Sequence, residues 1–325
     1  MRIWRAVALI VAGTLAATAI GELDRAPSPI AVAMLLGLLA SPFVHLGASS
    51  PVPVIGKFAL RTGVVLLGFR ITLDEIADLG AVTLLMAVVV SVSVLAATVW
   101  IGRRTAIGRT LATLLGVGSA ICGASAVAAA GTTIESSDED TAYAIATVTL
   151  IGTVATFALP ALGTWAGLGD RDLGIWIGMM VHDVGQVVAA STTVGDVALT
   201  AAVPVKLVRV LLLVPVLTVL ARSSLAPRRQ ADAEVPGRLQ RVRGLVPGFL
   251  ALFIVASVIS STGVIPDGLA DVAADVEKIL FTAALFAIGV SVHAPTLRRI
   301  GLRPALTSAV IWSVAALTTL VILRA

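Results

Sequence analysis

The sequence predicts an all-α polytopic membrane protein, and three observations predict it. Hydrophobic residues make up 58% of the 325 positions and charged residues only 13%, about half the charged share expected of a soluble domain. Apolar stretches recur along the whole chain, each near the length of about 20 residues that a spanning helix needs. Short basic and short acidic runs alternate in the connections between them, as the positive-inside rule requires. The net charge of +4 therefore reflects topology and not a nucleic-acid surface, because the basic residues are dispersed between apolar segments. Cys122 is the single cysteine, which excludes an intrachain disulfide and a cysteine-rich metal site. His45, His182 and His293 lack metal-ligand spacing, so neither metal nor cofactor is expected.

Taken in order, eleven segments are expected to span: 6 to 20, 28 to 46, 56 to 73, 80 to 101, 110 to 131, 141 to 163, 174 to 195, 200 to 221, 244 to 262, 277 to 293 and 301 to 323. The first follows Arg2 and Arg5 and is short enough to resemble a signal peptide. It is expected to be retained, because the loop charges keep parity with it. A cytoplasmic N-terminus puts Arg103, Arg104, Arg109, the arginines from Arg222 to Arg243, and Arg298, Arg299 and Arg303 inside. It puts Glu22 with Asp24, Asp74 to Asp78, Glu135 to Asp140 and Asp267 to Glu277 outside. The whole chain, 1–325, reads as one integral membrane transporter domain. Residues 222–243, with Pro227, Pro236 and Gly237, form a cytoplasmic linker inside it.

One internal echo bears on architecture. GFRITLDEIADLG (Gly68 to Gly80) and GVSVHAPTLRRIG (Gly289 to Gly301) hold glycines and apolar residues at matching places. They end the third and tenth segments, so the two copies cross the bilayer in opposite senses. Inverted repeats of this kind build many secondary transporters, with the site near the midplane. A second match, AAGTT ending at Thr133 and AASTT ending at Thr193, has no structural account from sequence and is taken as chance.

Polar residues inside the apolar segments mark the candidate site. In GMMVHDVGQVVAAS, a continuous helix brings His182, Asp183 and Gln186 onto one broad face. An ionised aspartate at the bilayer centre costs about 2.5 to 3.5 kcal/mol on insertion scales, so that face is expected to look into the bundle. Its bland alternative is a hydrogen-bonded helix clamp. In VPVKLVRVLLLVP, Lys206 and Arg209 share a helical face, and one aspartate cannot neutralise two cations. The surplus is expected to attract an anion, with snorkelling to the headgroups as the alternative. GVGSAICGASAVAAAG carries Ser119, Cys122, Gly123 and Ser125 among four glycines. Close helix packing explains such a stretch as well as a helix opened in mid-membrane does, with its N–H groups aimed at an anion. Arg70 reads equally as an interfacial anchor or a substrate contact.

Together GSAICGASAVAA, HDVGQVVAA, KLVRVLLLVP and LLGFRITL resemble the YeiH-type bacterial membrane proteins over nearly the whole chain, in order. That family is often labelled as sulfate exporters. It is similar to secondary transporters with two inverted bundles and broken crossing helices, the bile acid symporter and sodium/proton antiporter type of architecture. The family motif has glutamate after the histidine, where this chain has Asp183. The resemblance implies efflux of sulfate, sulfite or an organosulfonate across a bacterial inner membrane.

The function expected is a secondary transporter exporting a small anion. Lys206, Arg209, Ser119, Cys122, Gly123, Ser125 and Gln186 would contact substrate, and His182 or Asp183 would handle a coupling proton or sodium ion. The expected partners are that anion, the coupling ion and the lipid bilayer, but not nucleic acid, and a homodimer is left open. Two alternatives remain: an intramembrane serine hydrolase using Ser125 and His182, and an anion channel or sensor. Ala126 breaks the rhomboid-type GxSG pattern, and no HExxH, GxSxG or nucleotide-binding glycine motif occurs.

Overall fold

A computed structural model describes residues 3–23, 28–44, 46, 50–105, 107–223, 248–291 and 301–324. His45, His293, Arg298, Arg299 and nearly all of the 222–243 linker lie outside them. The described residues form helices and connections without a strand. In chain order the helices are α1 (Ile3–Gly21), α2 (Pro29–Ala40), α3 (Val52–Leu67), α4 (Leu73–Asp78), α5 (Gly80–Arg104), α6 (Arg109–Ala120), α7 (Ala124–Thr133) and α8 (Asp138–Trp165). They continue with α9 (Asp170–Met180), α10 (Val184–Thr192), α11 (Asp196–Leu211), α12 (Leu213–Ala221), α13 (Gly248–Ser261), α14 (Asp267–Val290) and α15 (Arg303–Arg324). Among the described residues, α1, α5, α8, the α11–α12 pair and α15 are long and apolar enough to cross a membrane, and α2 and α13 are shorter apolar helices.

Local chemistry sets the boundaries. Thr72 and Glu75 form a capping box that starts α4, and the Ser137 hydroxyl accepts the Asp140 N–H at the start of α8. Pro215 has no N–H to give Leu211, where α11 ends before α12 resumes. One expected boundary is corrected. Asp267 to Glu277 is the first part of α14, not a loop: after Pro266 and Gly268 no breaker interrupts an alanine-rich run.

The chain divides into two compact units. The first comprises 1–80, 188–201 and 247–293, and the second 81–187, 202–246 and 294–325. In the first unit α14 packs against α1, α2 and α3, and α13 against α3. Glycine makes this approach close: a Cβ on Gly37 would strike the Phe286 carbonyl, and one on Gly289 the Met34 carbonyl. Without a hydrophobic driving force inside lipid, such small-residue contacts are what lets helices gain packing energy. In the second unit α8 packs on α6, α7 and α9, and α15 on α6 and α9. The Trp176 indole N–H donates to the Ala316 carbonyl at 3.0 Å, and that of Trp312 to the Met180 carbonyl at 2.8 Å.

Candidate functional site

Two interruptions in the second unit build the site. The fifth expected segment divides into α6 and α7 at residues 121–123, where Ile121 leaves helical geometry (φ −116°, ψ −92°) and Gly123 takes φ +64°, a conformation that glycine adopts without strain. The seventh divides into α9 and α10 at residues 181–183, where Val181 is extended (φ −72°, ψ 141°). His182 and Asp183 therefore lie in the break and do not share a helical face with Gln186, which corrects the continuous-helix expectation. The two breaks adjoin: a Cβ on Gly123 would lie 3.7 Å from the Asp183 Cβ and from the His182 carbonyl carbon.

The match between AAGTT and AASTT now has a structural account. Ala120 and Met180 end the first half-helices, Ala124 and Val184 begin the second, and the TT pairs close both. Each residue pairs with the one numbered sixty higher, so Gly118 matches Gly178 and Gly123 matches Asp183. The match falls at equivalent places in two broken helices.

A broken helix leaves carbonyls unpaired at its C-terminal end, where partial negative charge collects. Lys206 and Arg209 of α11 meet those carbonyls. The Lys206 ammonium donates to Ile121 at 2.6 Å and to Val181 at 2.9 Å, which are equivalent positions in the two repeats. Arg209 Nε donates to Ala120 and to the Ser91 hydroxyl, both at 3.1 Å. Its Nη1 donates to Gly178, Met179 and Val181, and its Nη2 to Ser119. Lys206 is 0% exposed and Arg209 2%, so neither snorkels. The sequence count that left positive charge over for a ligand omitted these carbonyls.

The other expected site residues divide into two groups. Gln186 is 1% exposed; its amide donates to the Thr149 carbonyl and the Thr153 hydroxyl, and its Oε1 accepts the Asp183 N–H. Asp183 in turn accepts the Gly185 N–H at 2.9 Å. The two side chains cap the start of α10, Gln186 accepting the Asp183 N–H and Asp183 that of Gly185; the signal, an N-cap residue followed three later by glutamine, was present in the sequence. His182 is fully buried; its Nδ1 lies 3.0 Å from the Val148 carbonyl and so carries the hydrogen, and its Nε2 has no partner among the described residues. The ring stands edge-on to Trp312 at 6.2 Å between centroids. Ser119 is buried beside Ser308, its hydroxyl 3.5 Å from that of Ser308, and Cys122 is also buried. Gly123, Ser125 and Asp183 line the start of the second half-helices, where Ser125 is exposed and Asp183 half-buried. No hydrogen bond joins Ser125 to His182 among the described residues. Ser91, Val148, Thr149 and Trp312 are contacts that sequence reasoning did not find; nothing in their local sequence marks them.

Interrupted apolar helices, clamped through buried cations in a chain with several helices fit to cross a bilayer, define a multi-pass membrane protein. The chain belongs to the family described as "Conserved hypothetical protein 698", which it matches over residues 5–308. It is 38% identical over 268 residues to the UPF0324 membrane protein RSc1111 of Ralstonia nicotianae, covering 78% of this chain and 72% of that one. It is 32% identical over 279 residues to the UPF0324 membrane protein Cgl0015/cg0018 of Corynebacterium glutamicum (85% and 79% covered). It is 30% identical over 289 residues to the UPF0324 inner membrane protein YeiH of Escherichia coli K12 (87% and 80% covered). No solved structure matches the chain.

Proposed function

We propose that the protein is a secondary transporter that exports a small anion such as sulfate, sulfite or an organosulfonate, coupled to protons or sodium. The observation that carries this reading is the pair of adjoining helix breaks whose carbonyl ends are met by Lys206 and Arg209. With the negative ends occupied by cations, the opposite ends, at Ala124 and Val184, present N–H groups and positive dipole ends to an anion. The Ala124 and Ser125 N–H groups have no partner among the described residues. In this reading Gly123 and Ser125 contact substrate, while Lys206, Arg209, Gln186, Ser119 and Cys122 hold the frame that presents it.

Asp183 is the coupling group. Its carboxylate occupies the N-terminal end of α10, and when ionised it repels an anion arriving beside it. Binding a proton or a sodium ion removes that repulsion, so the affinity for the anion depends on the coupling ion. His182 suits a coupling proton less well, since its Nδ1–H already serves Val148 and its Nε2 faces no acceptor among the described residues. The wider reading has eleven crossings, a cytoplasmic N-terminus and an inverted repeat, in a monomer or a homodimer. The echo supports that repeat: Gly80 and Gly301 both take positive φ, 78° and 90°, before a long helix.

Flux of labelled sulfate and sulfite in proteoliposomes tests the proposal. Lys206→Met is expected to lower flux about tenfold or more, equivalent to about 1.4 kcal/mol. Asp183→Asn is expected to make the residual flux independent of pH and sodium. If both variants moved these anions as fast as the parent, the assigned site would be wrong.

A further inference from the structure

We propose that Glu277 of α14, with Arg70 and Asp196, forms a proton-binding site in the first unit, separate from the one proposed at Asp183. Glu277 is 3% exposed, while its neighbours Asp275 and Lys278 are exposed. Its Oε1 has one charged contact, Arg70 Nη1 at 3.5 Å, the outer limit of a hydrogen bond. Its Oε2 is buried and receives no hydrogen bond among the described residues. An ionised carboxylate normally accepts several hydrogen bonds, and leaving half of one dry is costly.

The cation that should compensate it is shared. Arg70 Nη2 also pairs with Asp196 Oδ1 at 3.2 Å, so one guanidinium faces two carboxylates. Two negative charges against one positive leave a place for one proton, and the buried Oε2 is where it removes the greater penalty. Asp196 is exposed, so water solvates its carboxylate. Other charges on the surrounding helices do not enter this balance: Lys57 and Arg61 of α3, Arg5 of α1, and Asp271, Asp275 and Lys278 of α14 occupy exposed positions, and α2 carries no titratable group. Protonation releases Arg70 entirely to Asp196, the first residue of the helix that carries Lys206 and Arg209.

Infrared difference spectroscopy of the purified full chain, titrated with acid, reads this directly, because a protonated carboxylic acid has its own carbonyl band. A buried-carboxyl band is expected in the parent and in Asp183→Asn, and it is expected to vanish when Glu277→Gln is added to Asp183→Asn. Should Glu277→Gln not fold, Arg70→Gln and Asp196→Asn serve instead. Loss of the cation is expected to carry the band's midpoint up by about one pH unit, and loss of the second carboxylate to carry it down. A band that survives in the Asp183→Asn, Glu277→Gln double variant, or a midpoint unmoved in both other variants, would overturn the site. So would a band erased by sodium at constant pH, which would make the ligand a metal cation. The measurement needs no transport, so it stands or falls independently of the flux assay.

Discussion

At the scale of single residues, Arg209 carries more of the second unit than any other described side chain. Its three nitrogens reach carbonyls of both α6 and α9 and the Ser91 hydroxyl. A planar guanidinium can do this because its five N–H groups leave in fixed, divergent directions, whereas an ammonium offers three from one point. Arg209→Lys keeps the charge but orphans several carbonyls, so a loss of about 2 kcal/mol or more is expected. Arg209→Met also removes the charge and is expected to cost about 3 to 5 kcal/mol. Unfolding of the detergent-solubilised protein checks both. A lysine variant as stable as the parent would mean that those carbonyls find other donors.

At the scale of elements, glycines set how closely helices meet. A side chain on Gly37 would strike the Phe286 carbonyl, which is backbone and cannot swing aside. Gly37→Val is therefore expected to separate α2 from α14 and lower stability by about 1 to 3 kcal/mol. The same substitution at Gly268, which has open space, is expected to leave stability nearly unchanged. Melting temperatures of the two variants decide the point. Much of this level was legible in the sequence: each expected segment overlaps a helix or a helix pair among the described residues, five of them long and apolar enough to cross a membrane. The break at Ile121 to Gly123 was one of two balanced readings, because glycine serves packing and kinking alike. The break at His182 was missed because Val181 and Asp183 do not announce it; only the capping pattern from Asp183 to Gln186 does. Carbonyl partners for Lys206 and Arg209 were invisible for a different reason. A count of side-chain charges contains no helix ends.

At the scale of the whole molecule, composition alone made the membrane reading, and the order of charges along the chain gave an orientation. With the N-terminus inside, a reporter that matures only in the cytoplasm is expected to work when fused after Arg104 or Arg222, and to fail when fused after Glu139. Signal from the Glu139 fusion, or none from the other two, would reverse the topology. The division into two units was not legible, because 188–201 joins the first unit from the middle of the chain. The clamp also constrains how the chain is made. Ile121 leaves the ribosome 85 residues before Lys206, and Val181 precedes it by 25. Each broken helix is without its counter-charge until Lys206 is made, α6–α7 for the longer interval and α9–α10 for the shorter. Their bare carbonyl ends need water, lipid headgroups or the insertion machinery as temporary partners, and assembly of the second unit is completed only when α11 arrives.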